Sequence, residues 1–366
     1  MYNKTMCRLW HEYRNRIISV LAILFCLGGS FFVQNKYFSN RSNDRTTVSD
    51  ASIGIFAMDT YMTITVEGDS ESAREALEAA TDEIHRLDEL LSTGNIQSEI
   101  SWLNSHHGGE IGDDTQYLID KSLDIYEMSK GAFDITIFPL MHTWGFDSDN
   151  KHVPKAKDIE SALTNVGADK LILTKQDGQT VLEMPKGCEI DLGGIAKGYT
   201  ADRVRDILVE NGCNNAMINL GGNVLPIGNR ADGETWEVVI RKPEDENSYL
   251  CKLKVKDKSV VTSGGYQRFF EEDGEIYHHI IDPSTGYPAS SGILSVTVIS
   301  EDGALADGLS TALFVLGEAE ACELWKEHSG EFDMVIYTSD KRLIVSENLA
   351  DSIVDSIHYD LLHTTN

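Results

Sequence analysis

The stretch "DLGGIAKGYTADRV", Asp191 to Val204, sets a carboxylate, two glycines and a lysine just ahead of a helical pattern. Glycines let backbone amides approach an anion, a helix N-terminus adds partial positive charge, and Lys197 adds a full one. The stretch is neither a GxxxxGK[ST] nor a GxGxxG loop, so it points to a phosphate without naming the nucleotide. The plainer alternative is a glycine-rich turn with Asp191 as helix cap and Lys197 solvated. In "ADGLSTALFVLG", Asp307 and Thr311 stand four apart, which on a helix puts their Cβ atoms roughly 5–6 Å from one another on one face. Two oxygen ligands of one hard cation fit that spacing, magnesium being the natural candidate; a helix-end charge and an inward-packed threonine fit it too. In "YHHIIDPSTGYPA" the pair His278 and His279 precedes a turn. Neighbouring side chains of an extended segment face opposite ways, so one imidazole points inward, either as a base beside a phosphate or as a structural histidine. "GAFDITIFPLMHTWGF" holds Phe133, Asp134, Phe138, Trp144 and Phe146. It reads as core and turn, or as aromatics that stack a ring.

Positioning these residues takes several elements. Ala73, Ala76, Leu77, Ala80, Ile84, Leu87 and Leu91 recur at helical spacing, and further helical patterns cover Thr115 to Ser129, Ala196 to Glu210 and "GALADGLSTALFVLG". The runs "NAMINL", "WEVVIRK", "CKLKVKD", "SVVTSGG", "LSVTVIS", "DMVIYTS" and "RLIVS" are strand-like, being rich in β-branched residues and separated by turns. Strands and helices mix without regular βα alternation. We therefore expect an α+β fold, a single large domain over residues 53–350 with a mixed, largely antiparallel sheet and flanking helices, followed by a C-terminal tail at 351–366. The Gly-Gly pairs at Gly193, Gly221 and Gly264 are unevenly spaced, which argues against a repeat architecture.

The first residues have a different character. A basic segment, 1–16, carries Lys4, Arg8, Arg14 and Arg16 and leads into the uncharged "IISVLAILFCLGGSFFV", 17–33. It reads as a signal peptide or a membrane anchor, with the basic end cytoplasmic and the remainder outside. A lipid-modified Cys26 would follow Phe25, a bulky residue for that position. Residues 34–52 are polar and read as a tether. Residues 1–45 carry more Lys and Arg than Asp and Glu, so the rest is more negative than the chain's formal −28. Such a surface repels nucleic acid, yet charges beyond a Debye length of about 8 Å are screened, so a local cation can still hold an anionic ligand. The six cysteines show no CxxC, and scattered buried thiols are expected.

Taken together, "MDTYMTITV", "SEISWLN", "GAFDITIFPL", "DLGGIAKGYTADRV", "NLGGNV", "VVTSGGYQRFF", "HHIIDPSTGYP" and "ALADGLSTALFVLG" resemble, in order, the signatures of the ApbE-type FAD:protein FMN transferases, flavin-transferring enzymes of bacterial membranes. The resemblance spans residues 55 to 345. Asp59 stands where that family usually has Gly, Ile135 replaces a frequent Pro, Gly265 a frequent Asp, and Gly308 a frequent Ala. The resemblance implies an ApbE-like fold and FAD contacts from Met58, Ala132, Phe133, Asp134, Asp191, Lys197 and His279. It implies Mg2+ held by the Gly194 carbonyl, Asp307 and Thr311, with His279 as the catalytic base. The implied reaction moves FMN from FAD to a threonine or serine hydroxyl of a target flavoprotein, releasing AMP, at the outer face of the cytoplasmic membrane. A magnesium-dependent FAD pyrophosphatase and a membrane-tethered flavin carrier without chemistry are the alternatives. An imidazole of ordinary pKa, about 6.5, would make activity rise with pH through that region.

Overall fold

The computed structural model describes residues 51–364 apart from Asp69 and Ser356; the segments read as cytoplasmic, membrane-inserted and most of the tether lie outside the described residues. Among the described residues, no helix is long and apolar enough to cross a membrane. The principal sheet has nine strands in the spatial order Ala51–Ala57, Thr60–Val66, Ala216–Leu220, Asn223–Ile227, Ser259–Gly264, Ile293–Ser300, Asp333–Thr338, Leu343–Ser346 and Asp360–Leu362. All pairings are antiparallel except the last, which is parallel. The fold is thus α+β with a largely antiparallel sheet. Residues 351–366 are not simply a tail, because Asp360–Leu362 pairs with Leu343–Ser346 and extends the sheet.

Alternation decides which face of the sheet meets which helix. Ala216, Ile218 and Leu220 are buried in a cluster with Ala73, Ala76, Leu77, Ala80 and Ile84 of the Ser70–Leu91 helix, while Met217 packs into another cluster on the opposite face. The alanine-rich face of that helix also brings it against the Ala196–Glu210 helix, whose Ala201 and Val204 enter the same cluster. A separate cluster of Phe138, Leu140, Met141, Trp144, Phe146 and Ile159 underlies the "DPSTGYP" turn, where the Trp144 indole donates to the Gly286 carbonyl at 2.8 Å.

The first strand pair is closed by Met58 and Asp59 alone, since Ala57 pairs with Thr60. Both residues adopt positive φ, +48° and +57°, the demand of a two-residue turn matching the strand twist. Glycine meets that demand without strain, which accounts physically for Gly being usual at the Asp59 position.

The Ala196–Glu210 and Gly303–Leu316 helices cross with glycine against glycine. A Cβ on Gly198 would stand 2.0 Å from the Gly303 carbonyl oxygen and 2.8 Å from the Asp307 Cβ. Two effects oppose each other in Gly198→Ala: helix propensity favours alanine by about 1 kcal/mol, and overpacking typically costs about 1–3 kcal/mol or more. The overlap is with backbone, which cannot swing aside, so the variant should unfold at lower urea concentration than wild type. A midpoint equal to or above wild type would contradict this close crossing.

Candidate active site

Asp191 is held from both sides. Its amide donates to the Ile135 carbonyl at 2.7 Å, its Oδ1 accepts the Gly193 amide at 2.8 Å, and the residue before it, Ile190, is pinned by both ends of the buried Asn104 amide at 2.7 and 2.9 Å. Asn104 belongs to "SEISWLN", so that motif acts as a clamp on the loop. The amides at the start of the following helix do not face an open anion site, contrary to the expectation from the loop's composition. The Gly198 amide donates to Asp307 Oδ2 at 2.9 Å, and the Lys197 amide also bonds to Asp307. Positive potential at this helix end is therefore spent on a carboxylate of the same protein.

Asp307 is only 4 % exposed. Burial pushes its carboxyl above the usual range, opposed by the Lys197 charge and by the two amides. The Lys197 ammonium lies 3.9 Å from Asp307 Oδ2 and donates to the Gly193 carbonyl at 3.2 Å. One helical turn on, the Thr311 hydroxyl is 3.4 Å from Ser263 Oγ. Gly194 passes close by: a Cβ there would stand 3.0 Å from the Phe133 ring and 4.0 Å from Thr311 Oγ1. Gly194 and Thr311 are thus near neighbours, and Asp307, one turn before Thr311, lies beside Lys197.

Met58, Asp191 and Lys197 line a cavity of about 580 Å³. Ala132, Phe133, Asp134, Gly194, His279, Asp307 and Thr311 are not among its lining residues. Phe133 is core against Gly194, and its amide donates to Ser129 Oγ. The buried Asp134 carboxylate accepts from the Thr136 amide (2.7 Å), the Thr136 hydroxyl (2.6 Å) and the Ala168 amide (3.1 Å). With these bonds made, Asp134 shapes the loop whose Ile135 carbonyl holds Asp191.

The two histidines face opposite ways. His278 sits edge-on to Phe314 at 5.5 Å and its Nε2–H donates to the Ala289 carbonyl, so it is the packed, structural member. His279 is half-buried, 6.5 Å from the Phe146 ring, with Nδ1 3.1 Å from the Arg268 carbonyl. A carbonyl can only accept, so Nδ1 carries the proton and Nε2 keeps a lone pair. Burial, reinforced by the Arg268 charge, pushes the His279 pKa down to about 4. This corrects the expected ordinary value: the ring is neutral throughout the physiological range.

The sequence reading passed over Arg268, His142 and Asp147, all of which line the cavity. His142 lies between two carboxylates, 2.5 Å from Asp147 and 3.4 Å from Glu189, with its ring 4.2 Å from that of Phe138. Burial raises the Asp191 pKa, opposed by the Gly193 amide and by the charges of Arg268, Lys197 and His142. No spacing rule links positions 142, 197 and 268; only the fold gathers them.

A family model described as the ApbE family matches residues 58–336. The chain belongs to the ApbE family. It is 35% identical over 279 residues to an FAD:protein FMN transferase of Klebsiella pneumoniae, covering 75% of this chain and 86% of that protein. A Treponema pallidum protein of the same name is 33% identical over 294 residues, 76% and 81% of the two chains. Among solved structures, the ApbE protein of Thermotoga maritima superposes with a TM-score of 0.77 at 32% identity, covering 84% of this chain and all of that one. The flavin transferase ApbE of Vibrio cholerae gives 0.74 at 25% identity, covering 83% and 99%.

The environment of His279 predicts its titration. Observed by NMR, its ring should protonate near pH 4 and stay neutral from pH 5 to 8. The unfolded ring titrates near 6.5, so between those values the folded state binds fewer protons, and this residue's contribution to stability falls as pH drops through that window. A His279 midpoint at or above 6.5 would contradict the half-buried, Arg268-flanked placement.

Proposed function

We propose that this protein transfers FMN from FAD to a threonine or serine hydroxyl of a target flavoprotein, releasing AMP and leaving FMN joined by a phosphoester. Kinship with proteins named FAD:protein FMN transferases supports the chemistry. The observation that carries it to particular residues is the His279 Nδ1–H bond to the Arg268 carbonyl, which leaves Nε2 to accept a proton. The acceptor oxygen attacks the FMN-side phosphorus while its proton passes to Nε2. The bond from that phosphorus to the bridging oxygen breaks, and AMP departs with the electron pair. Lys197 places positive charge at the cavity wall beside Asp191, and the Met58 turn closes one side of the flavin site.

Gly194, Asp307 and Thr311 suit a divalent cation. The donors are a carbonyl, a carboxylate and a hydroxyl, the lack of a side chain at Gly194 lets it pass the Phe133 ring and come near Thr311, and Asp307 is a buried carboxylate whose charge Lys197 answers only from 3.9 Å. We assign these three to Mg2+, which when bound supplies charge to neutralise the pyrophosphate. The apolar segment at 17–33 supports placing the reaction outside the cytoplasmic membrane.

Mass spectrometry of a candidate flavoprotein incubated with FAD, Mg2+ and this protein should show FMN attached with loss of water, matched by equimolar AMP. AMP without attachment would favour hydrolysis of FAD, and bound FAD without AMP would favour a carrier. His279→Ala should lower transfer by roughly 10²–10⁴-fold with FAD affinity within a few-fold of wild type; wild-type turnover would remove the assigned base. Asp307→Asn should abolish the rise in melting temperature that Mg2+ gives the wild type. An undiminished rise would remove the metal assignment.

A further inference from the structure

Arg268 and His279 stand at the open end of a two-stranded ribbon, Phe269–Glu272 with Glu275–His278. In its register Phe269 faces His278 and Phe270 faces Tyr277. One step further, Arg268 faces His279, on the same side of the ribbon as Phe270 and Tyr277. That side packs on aromatic rings: Phe270 lies 5.7 Å from Phe146, and Tyr277 5.5 Å from Trp144. Both the amide and the ring Nδ1–H of His279 donate to the Arg268 carbonyl, each at 3.1 Å. The Arg268 side chain meanwhile lines the cavity.

The other basic groups at that cavity already have acidic neighbours. Lys197 has Asp307, and His142 has Asp147 and Glu189. Among the described residues no carboxylate pairs with Arg268, whose guanidinium makes a single bond, from Nη2 to the Phe146 carbonyl at 3.1 Å. A guanidinium has five N–H donors in a fork that matches phosphate oxygens two at a time. Because the helix-end amides of Lys197 and Gly198 are taken by Asp307, an anion in this cavity must find its donors elsewhere.

We propose that Arg268 binds the pyrophosphate of the dinucleotide through its guanidinium while its own carbonyl fixes the tautomer of His279, so that one residue sets both the anion and the base. This rests on the FMN-transfer reading and adds a substrate-binding residue to it. The ribbon then delivers clamp and base as a unit, and its packing on Trp144 and Phe146 fixes their separation.

The test is FAD affinity of Arg268→Gln, measured by flavin fluorescence without acceptor across a salt series, together with the melting temperature of the unliganded protein. Losing a charge-assisted bond should weaken FAD binding roughly 10- to 100-fold at low salt. The gap to wild type should narrow as salt rises, and the melting temperature should stay within about 2 °C, since the side chain's only protein bond is to one carbonyl. Affinity within twofold of wild type, or an equal loss at every salt concentration with a large drop in melting temperature, would overturn the proposal. The wild-type protein supplies a second arm that does not depend on the variant folding. Phenylglyoxal should modify Arg268, as read by peptide mass spectrometry, and saturating FAD should protect it; unchanged modification with FAD bound would overturn the proposal. Should wild type bind FAD yet release no AMP with an acceptor, the transfer reading fails while the Arg268 binding result still stands.

Discussion

Two carboxylates, each capping the other's helix, hold this site together. Asp202 of the Ala196–Glu210 helix accepts the amides of Gly303 and Ala304 at 2.8 and 3.3 Å, and Asp307 of the Gly303–Leu316 helix accepts the Gly198 amide at 2.9 Å. The helices run antiparallel past one another here, since Gly198 lies by Asp307 and Asp202 by Gly303. Their first turns can meet this closely because glycine sits on both sides of the contact. Burying two carboxylates is unfavourable in itself, and burial pushes the Asp202 pKa to about 7. The polarised amides of the two helix ends offset part of that cost. The geometry that results brings Lys197 beside Asp307 and Gly194 beside Thr311. A side chain at Gly198 would therefore meet the Gly303 backbone first and Asp307 next, and one at Gly303 would meet the Gly198 carbonyl and Asp202.

A second constraint orients His279, the proposed base. Strand alternation at the ribbon sends His278 toward Phe314 and His279 toward Phe146, and the Arg268 carbonyl then decides which ring nitrogen holds the proton. Neutrality follows from burial and from the neighbouring guanidinium rather than from ambient pH. A base of low pKa abstracts protons weakly but is available at every physiological pH. It also suits a reaction in which the electrostatic stabilisation of a transferring phosphoryl group outweighs the strength of the base.

Much of the fold was legible because its signals are local. The helical spacing from Ala73 to Leu91 matches the Ser70–Leu91 helix, the pattern from Ala196 to Glu210 matches that helix, and each strand-like run falls on a strand. The Glu318–Glu327 helix and the short strands Gly108–Ile111, Ile172–Gln176 and Gln179–Glu183 passed unnoticed, being brief and weakly patterned. The pairing of Asp360–Leu362 with Leu343–Ser346 depends on tertiary context, which a window of sequence does not contain. At the site, the Asp307 and Thr311 spacing was readable from helical geometry. That Asp307 caps a helix beginning more than a hundred residues earlier was not. Composition suggests an amide cradle at Asp191–Lys197, whereas the fold gives the Gly193 amide to Asp191, those of Ile195 and Ala196 to the Leu192 carbonyl, and those of Lys197 and Gly198 to Asp307. Arg268, within "VVTSGGYQRFF", shows no chemistry in the sequence alone, since the role proposed for it arises only where the ribbon meets the cavity.

The central claim is that Asp307, Lys197, Arg268 and His279 converge on one pyrophosphate. A crystal structure with FAD and Mg2+ bound tests it most directly. The account predicts the cation on Asp307, Thr311 and the Gly194 carbonyl, the pyrophosphate within hydrogen-bond reach of Lys197 and Arg268, and His279 Nε2 directed at the side from which the FMN phosphorus is attacked. A pyrophosphate bound away from Arg268 and Lys197, or a His279 ring presenting Nδ1 to the substrate, would contradict it.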